Sequence, residues 1–198
     1  HAIVAHIPGL KVAMPSSALE AKGLLKTAIR DNNPVVIFED KLMYQDKAEV
    51  PEGEFLIPFG VANVKREGSD ITLVGTSSMV QVAEKAAEIL AVEGISAEVI
   101  DPRTIVPLDM DTINTSVRKT SRCIVIDEGH QSFGITSEIA SRIMEQSFYH
   151  LDGPVIRMGA MDVPIPFSPA LEDITVPTPE GVVAVARRLM AGEMINVS

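Results

Sequence analysis

Short apolar runs alternate with helix-patterned stretches along this chain, and that alternation restricts its fold more than any other feature. Val35-Val36-Ile37-Phe38 and Cys123-Ile124-Val125-Ile126 are unbroken apolar runs, and further strands are read at residues 10–14, 71–74, 97–100 and 155–158. Runs of this length suit strands covered by helices on both faces. Strands separated by helices pair in parallel through right-handed crossovers, so the fold class is α/β with a parallel sheet.

The pattern falls into two parts. In the first, Pro15-Ser16-Ser17 follows the strand at 10–14, and Ser16 or Ser17 is a natural N-cap. Glu20 stands three residues after Ser17, as in a capping box. The helix then runs to about Arg30 with Leu24, Leu25, Ala28 and Ile29 on one stripe, and it stops at Asp31-Asn32-Asn33-Pro34. Val35 to Phe38 reads as a buried strand. A strand, a helix and a strand are only a piece of a sheet with two open edges, so this part wants more protein upstream. Residues 41–58 lose periodicity around Pro51, Gly53 and Pro58 and read as a linker.

The second part, residues 59–198, is a fuller unit. After the strand at 71–74, Ser77 or Ser78 caps a helix to about Glu93, ended by Gly94. Asp109 starts another helix, and two more are read at 135–145 and 181–190, following the strands at 124–127 and 155–158.

Composition narrows the function classes. A formal charge of −10 argues against nucleic acid, whose phosphates need clustered Lys and Arg. Aromatic residues make up 4% with no Trp, so the core is aliphatic. The single cysteine, Cys123, sits in an apolar run as a small buried hydrophobe; it cannot form an internal disulfide, so a cytoplasmic setting is expected. No apolar run approaches the roughly 20 residues that span a bilayer, so no membrane is expected. His1-Ala2-Ile3-Val4 lacks the features of a signal peptide and reads as the middle of a longer chain.

Ligands of open parallel sheets gather at the C-terminal strand ends. Gly75-Thr76-Ser77-Ser78 lies at one such end and offers either helix capping or a phosphate cradle, without GxGxxG or a Walker lysine. Asp127-Glu128-Gly129-His130 lies at another, either a solvated turn or a carboxylate pair beside an imidazole suited to acid–base work. His6 and His150 lack zinc-site spacing, and no serine carries a GxSxG elbow. The helix ending at Arg30 presents unpaired carbonyls and its negative dipole end beside the carboxylate of Asp31 and the carbonyl of Asn33. Such hard oxygen donors suit potassium or calcium, against an ordinary helix stop. No catalytic set is visible.

Four stretches are more specific. His6-Ile7-Pro8-Gly9-Leu10-Lys11-Val12, Asp31-Asn32-Asn33-Pro34-Val35, Asp101-Pro102-Arg103-Thr104-Ile105-Val106-Pro107-Leu108-Asp109 and Pro164-Ile165-Pro166-Phe167 resemble, in order and spacing, the β-subunits of thiamine-diphosphate-dependent pyruvate, branched-chain 2-oxo acid and acetoin dehydrogenase E1 components. The resemblance implies that residues 1–40 are the tail of a pyrimidine-binding domain and residues 59–198 a transketolase C-terminal-like domain. It also implies an α2β2 assembly in which an E1 α-subunit binds the diphosphate and Mg²⁺. A second β-subunit and the E2 dihydrolipoamide acyltransferase binding domain would be the other partners. The family's activating glutamate and its His-Ser-Gln histidine would lie upstream of His1, so no catalytic residue is carried over. A potassium site is implied at the carbonyls of Ala28, Ile29 and Asn33 and the carboxylate of Asp31. Glu39-Asp40-Lys41-Leu42-Met43-Tyr44 and Gly159-Ala160-Met161-Asp162-Val163-Pro164 look most like acetoin dehydrogenase β-subunits. A non-catalytic assembly module and a stand-alone nucleotide-binding protein are the rival expectations.

Overall fold

The alternation resolves into two sheets in a computed structural model that describes residues 1–193. In chain order the elements are α1 (Ala2–Ala5), β1 (Lys11–Ala13), α2 (Ala18–Arg30), β2 (Val35–Ile37) and a 3-10 turn at Lys41–Gln45. The second part begins with β3 (Asn63–Arg66), β4 (Ile71–Gly75), α3 (Met79–Val92), β5 (Ala97–Asp101), β6 (Thr104–Val106) and α4 (Met110–Thr120). It continues with β7 (Cys123–His130), α5 (Ile135–Ser147), a 3-10 turn at Phe148–His150, β8 (Ile156–Ala160), α6 (Pro169–Glu172) and α7 (Pro179–Met190).

The larger sheet has the order β3-β5-β4-β7-β8. Strands β5, β4, β7 and β8 are mutually parallel, as the alternation requires, but β3 joins β5 antiparallel, so the sheet is mixed. The four residues 67–70 between β3 and β4 are too few for the crossover that a parallel strand needs. Period-two alternation then divides the core between the two faces. Ile71, Leu73, Val99, Ile124 and Ile126 pack under α3 and α7. Val74, Ile100, Cys123 and Val125 pack against α4 and α5 together with Val12 and Met14 from β1 and its end. Thr72 sits among them because its hydroxyl meets those of Ser116 and Thr120 on α4, each at 2.7 Å.

The smaller sheet departs from expectation. Its order is β2-β1-β6: β1 pairs parallel with β2 and antiparallel with β6, through Val12–Val106 and Ala13–Thr104. One edge expected to be open is therefore closed by a strand of the second part. The run Val35 to Phe38 is only partly buried, because β2 is an edge strand here.

Of the apolar stripe read on α2, Leu24 packs in the core but Leu25 and Ile29 do not. Glu20, Gly23 and Leu24 are buried, whereas Leu25 is half-exposed and Ile29 is 73% exposed. Segment 55–57 lies against the helix at Gly23, where a Cβ would collide with Ile57 and Phe55. Thr27 Oγ1 donates to the Ile57 carbonyl at 2.7 Å. The linker is thus packed on the helix, and the missing side chain of Gly23 makes room for it.

Gly68 shows the same constraint at the β3 edge. A Cβ there would overlap the backbone of Ala97 and Glu98, which cannot move aside. Gly68→Ala is expected to lower unfolding stability in urea by about 1–3 kcal/mol or more. Gly53→Ala, with nothing near its Cβ but a φ of +79°, is expected to cost only about 1–2 kcal/mol through the backbone.

Candidate functional site

The sheet order places a topological switch between β4 and β7: the chain leaves β4 for β5 on one side, and β7 is added on the other. The crevice beyond the carboxyl ends of two such strands is where open α/β sheets hold ligands. Here it gathers polar side chains from three stretches of sequence. Asp127, in β7, is 1% exposed. Its Oδ2 accepts from His1 Nε2 at 2.8 Å and from the Gly129 N–H at 3.1 Å, while Oδ1 accepts from the Thr76 hydroxyl. Ser78 Oγ donates to Glu128 Oε2 at 3.2 Å. Phe38 packs edge-on against the His1 ring, with centroids 6.0 Å apart.

The electrostatics follow from this crowding. Burial alone would lower the His1 pKa, but the hydrogen bond to Asp127 and its negative charge outweigh it and raise the value above 6.5. Burial pushes the Glu128 carboxyl up, aided by the charges of Asp40 and Asp127. The cluster sets two carboxylates, Asp127 and Glu128, beside the single imidazole of His1.

Asp127-Glu128-Gly129-His130 is therefore not a solvated turn, and its imidazole is not His130. His130 Nδ1 donates to the Met161 carbonyl at 2.8 Å, pointing away, and His1 takes its place. No sequence pattern signals a contact across 126 positions. Gly75-Thr76-Ser77-Ser78 does not cap α3 by side chain, because Ser78 serves Glu128 instead. The N–H groups of Thr76, Met79, Val80 and Gln81 donate to the carbonyls of Ile126, Thr76, Ser77 and Ser78. Cys123 is buried, and burial raises its thiol pKa, so it is inert.

The residues expected to hold a cation lie together at the end of α2. Asp31 donates its N–H to the Ala28 carbonyl at 3.2 Å. Its Oδ1 accepts from the backbone and side-chain nitrogens of Asn33 at 2.8 and 2.9 Å, and its Oδ2 pairs with Lys11. The Lys11 hydrogen bond, followed by those from Asn33, holds the Asp31 carboxyl down to about 2. The carboxylate already pairs with the Lys11 ammonium. Among the described residues no cluster of three or more His, Cys, Asp or Glu side chains converges as metal ligands, and no helix is long and apolar enough to cross a membrane.

Comparison with known proteins agrees with this two-sheet layout. The family model for the transketolase C-terminal domain matches residues 60–182, and that for the transketolase pyrimidine-binding domain matches residues 1–47. The chain belongs to the transketolase C-terminal domain family. Over most of its length this family member is homologous to β-subunits of acetoin and pyruvate dehydrogenase components. It is 47% identical to the acetoin:2,6-dichlorophenolindophenol oxidoreductase subunit beta of Bacillus subtilis over 96% of the chain and 56% of the relative. It is 49% identical to the mitochondrial pyruvate dehydrogenase E1 component subunit beta-1 of rice, over 93% of the chain and 50% of the relative. A solved split-gene transketolase, an inactive beta4 tetramer, superposes with a TM-score of 0.79 at 26% identity, covering 98% of this chain and 61% of that one. The chain spans about half the length of the curated relatives it matches.

The His1–Asp127 pair makes a prediction with a definite sign. Because the folded His1 pKa lies above 6.5, its stabilisation is complete below pH 6.5 and is lost as pH rises through the folded value. In Asp127→Asn the burial remains while the charge is gone, so the His1 titration followed by NMR is expected to move from above 6.5 to below it. An unchanged midpoint would show that the contact is absent in solution.

Proposed function

We propose that this chain is part of the β-subunit of a thiamine-diphosphate-dependent dehydrogenase E1 component, with acetoin as the favoured substrate. The observation that carries the reading is its 47% identity, across 96% of the chain, to a Bacillus subtilis acetoin oxidoreductase β-subunit. The motif Glu39-Asp40-Lys41-Leu42-Met43-Tyr44 supports acetoin; the 49% identity to the rice pyruvate enzyme supports pyruvate as the second reading. Branched-chain 2-oxo acids stand behind both.

The assembly would be an α2β2 heterotetramer that passes an acyl group to the lipoamide of E2. Thiamine diphosphate, when bound, would supply the carbanion chemistry that cleaves the bond beside the substrate carbonyl. The described residues do not fit a Mg²⁺–diphosphate anchor: they offer no converging acidic cluster of metal-ligand size. That task is assigned to the E1 α-subunit. The role of this chain is to scaffold the pyrimidine-binding tail on the C-terminal domain and to present surfaces to partners. Apolar exposure supports the latter. Phe133 is 98% exposed beside an open groove of about 920 Å³ lined by Ile3, Leu108 and Ile135, and Val163, Ile165 and Phe167 are exposed together in the loop after β8. Faces of this kind are covered in an assembly, here by the α-subunit and a second β-subunit, with E2 docking on the acidic outer surface. Buried, unpaired Cys123 suits the reducing cytoplasm.

Potassium would sit at the α2 terminus. The carbonyls of Ala28, Ile29 and Asn33 would hold it beside the fixed negative charge of Asp31, and the helix dipole favours a cation there. The ion would be a weakly hydrated monovalent one held mainly by carbonyls, since the Asp31 carboxylate has Lys11 and Asn33 as partners. Added KCl is expected to raise the melting temperature of the parent protein more than an equal concentration of choline chloride does, and to lose this advantage in Asp31→Ala. Equal protection of both proteins by KCl excludes the site.

The reaction itself is tested on the full-length polypeptide reconstituted with its α-partner, offering acetoin and pyruvate in parallel with 2,6-dichlorophenolindophenol as acceptor. Thiamine-dependent dye reduction is expected with acetoin. Reduction with pyruvate alone selects the second reading, and no turnover from a well-formed heterotetramer favours an assembly module.

A further inference from the structure

The carboxylate at the end of α2 is engaged by a cation of the chain itself. Lys11 opens β1, and its N–H donates to the Pro34 carbonyl at 3.0 Å, which holds the residue against the turn that follows α2. The parallel pairing of Lys11 with Val35 fixes that position. From there the ammonium reaches Asp31 Oδ2. The same nitrogen stands over the ring of Phe59, just after the linker, 5.6 Å from its centroid. One ammonium is thus tethered three ways: by strand pairing, by charge and by an aromatic face.

The other carboxylate oxygen is used as well, since Asp31 Oδ1 accepts from the backbone and side-chain nitrogens of Asn33 at 2.8 and 2.9 Å. The neighbouring Arg30 is drawn elsewhere: its guanidinium pairs with Glu54 and donates to the Lys26 carbonyl at 3.0 Å. As formal charges, Asp31 and Lys11 cancel.

Charge at such a place selects the valence of the ion it can hold. A divalent cation recovers its dehydration cost from anionic ligands, and calcium affinity follows the charge of the donor set. With its carboxylate neutralised, the α2 terminus offers carbonyls and the negative end of the helix dipole. A divalent ion there would also face Lys11 across the shared carboxylate, with twice the repulsion a monovalent ion meets.

We propose that Lys11 is a selectivity residue of the α2 terminus: its tethered ammonium occupies the Asp31 carboxylate and so excludes divalent cations, leaving the carbonyls to a weakly hydrated monovalent ion. Occupation by potassium rests on the function proposed above, whereas exclusion of divalent ions rests on the Lys11–Asp31 pair alone.

The test is thermal unfolding in CaCl₂ against choline chloride at equal ionic strength. At about 10 mM, above the roughly millimolar affinity of weak calcium sites, calcium is expected to give the parent protein no advantage. In Lys11→Met it is expected to raise the melting temperature by about 2–4 °C over choline, and combining Lys11→Met with Asp31→Asn is expected to abolish that gain. Should Lys11→Met fail to fold, Lys11→Gln gives the same comparison. A Mn²⁺ titration of the parent followed by NMR needs no variant: the Asn32 and Asn33 amides are expected to broaden no more than exposed amides elsewhere. If Lys11→Met gains no more from calcium than the parent does, or Mn²⁺ selectively broadens Asn32 and Asn33 in the parent, Lys11 does not guard the site. A parent that gains nothing from KCl over choline chloride removes the potassium reading and leaves the calcium comparison intact.

Discussion

The pairing of β6 with β1 is the contact on which the rest of the molecule depends. Two short strands, β1 and β2, cannot form a stable sheet alone. By leaving the larger sheet after Asp101, the chain lends a third strand to the smaller one and closes an edge that would otherwise be open. Val12 and Met14 thereby enter the core beneath α4 and α5 instead of forming a separate one. The two parts are then joined by backbone hydrogen bonds and by shared apolar packing, which is a stiffer junction than a linker provides.

Polar groups at that junction are buried because the crossing leaves no other place for them. Glu20 has Lys65 and Arg103 beside it, so its desolvation is offset, whereas Asp101 keeps only the Ser16 hydroxyl and the Arg103 N–H. The switch-point crevice repeats the arrangement on a smaller scale, with His1 set against Asp127 and Glu128. In both places a group from the first part meets a carboxylate from the second. Charge pairing across the seam, added to packing, specifies how the two parts dock, since an apolar surface alone tolerates sliding.

Much of the fold was legible because local signals were strong. Ser17 accepts from the Glu20 N–H and caps α2, Asp109 caps α4, and Gly94 takes the left-handed conformation after α3. Strands β4, β5, β7 and β8 lie where apolar runs were read, within one to three residues at their ends. The misses share a cause. β3 and β6 are three or four residues long and carry no strong period, so only their partners define them. The α2 stripe holds at Leu24 but not at Leu25 and Ile29, because Ile57 and Phe55 of the linker select the Gly23 face. Only half of the capping box forms: Ser17 accepts from the Glu20 N–H, while the Glu20 side chain reaches serine hydroxyls and a cation across the seam.

The amino-acid sequence by itself determined the α/β class, the aliphatic core, most helix ends and the family resemblance, since each depends on neighbours within a few residues or on motifs read in order. The tertiary structure alone decided that β6 changes sheets, that His1 rather than His130 meets Asp127, and that Asp101 and Glu20 share Ser16. Those contacts join residues 85 and 126 positions apart. Their energy comes from burial and charge pairing that exist only once the chain has closed on itself, so no local pattern records them.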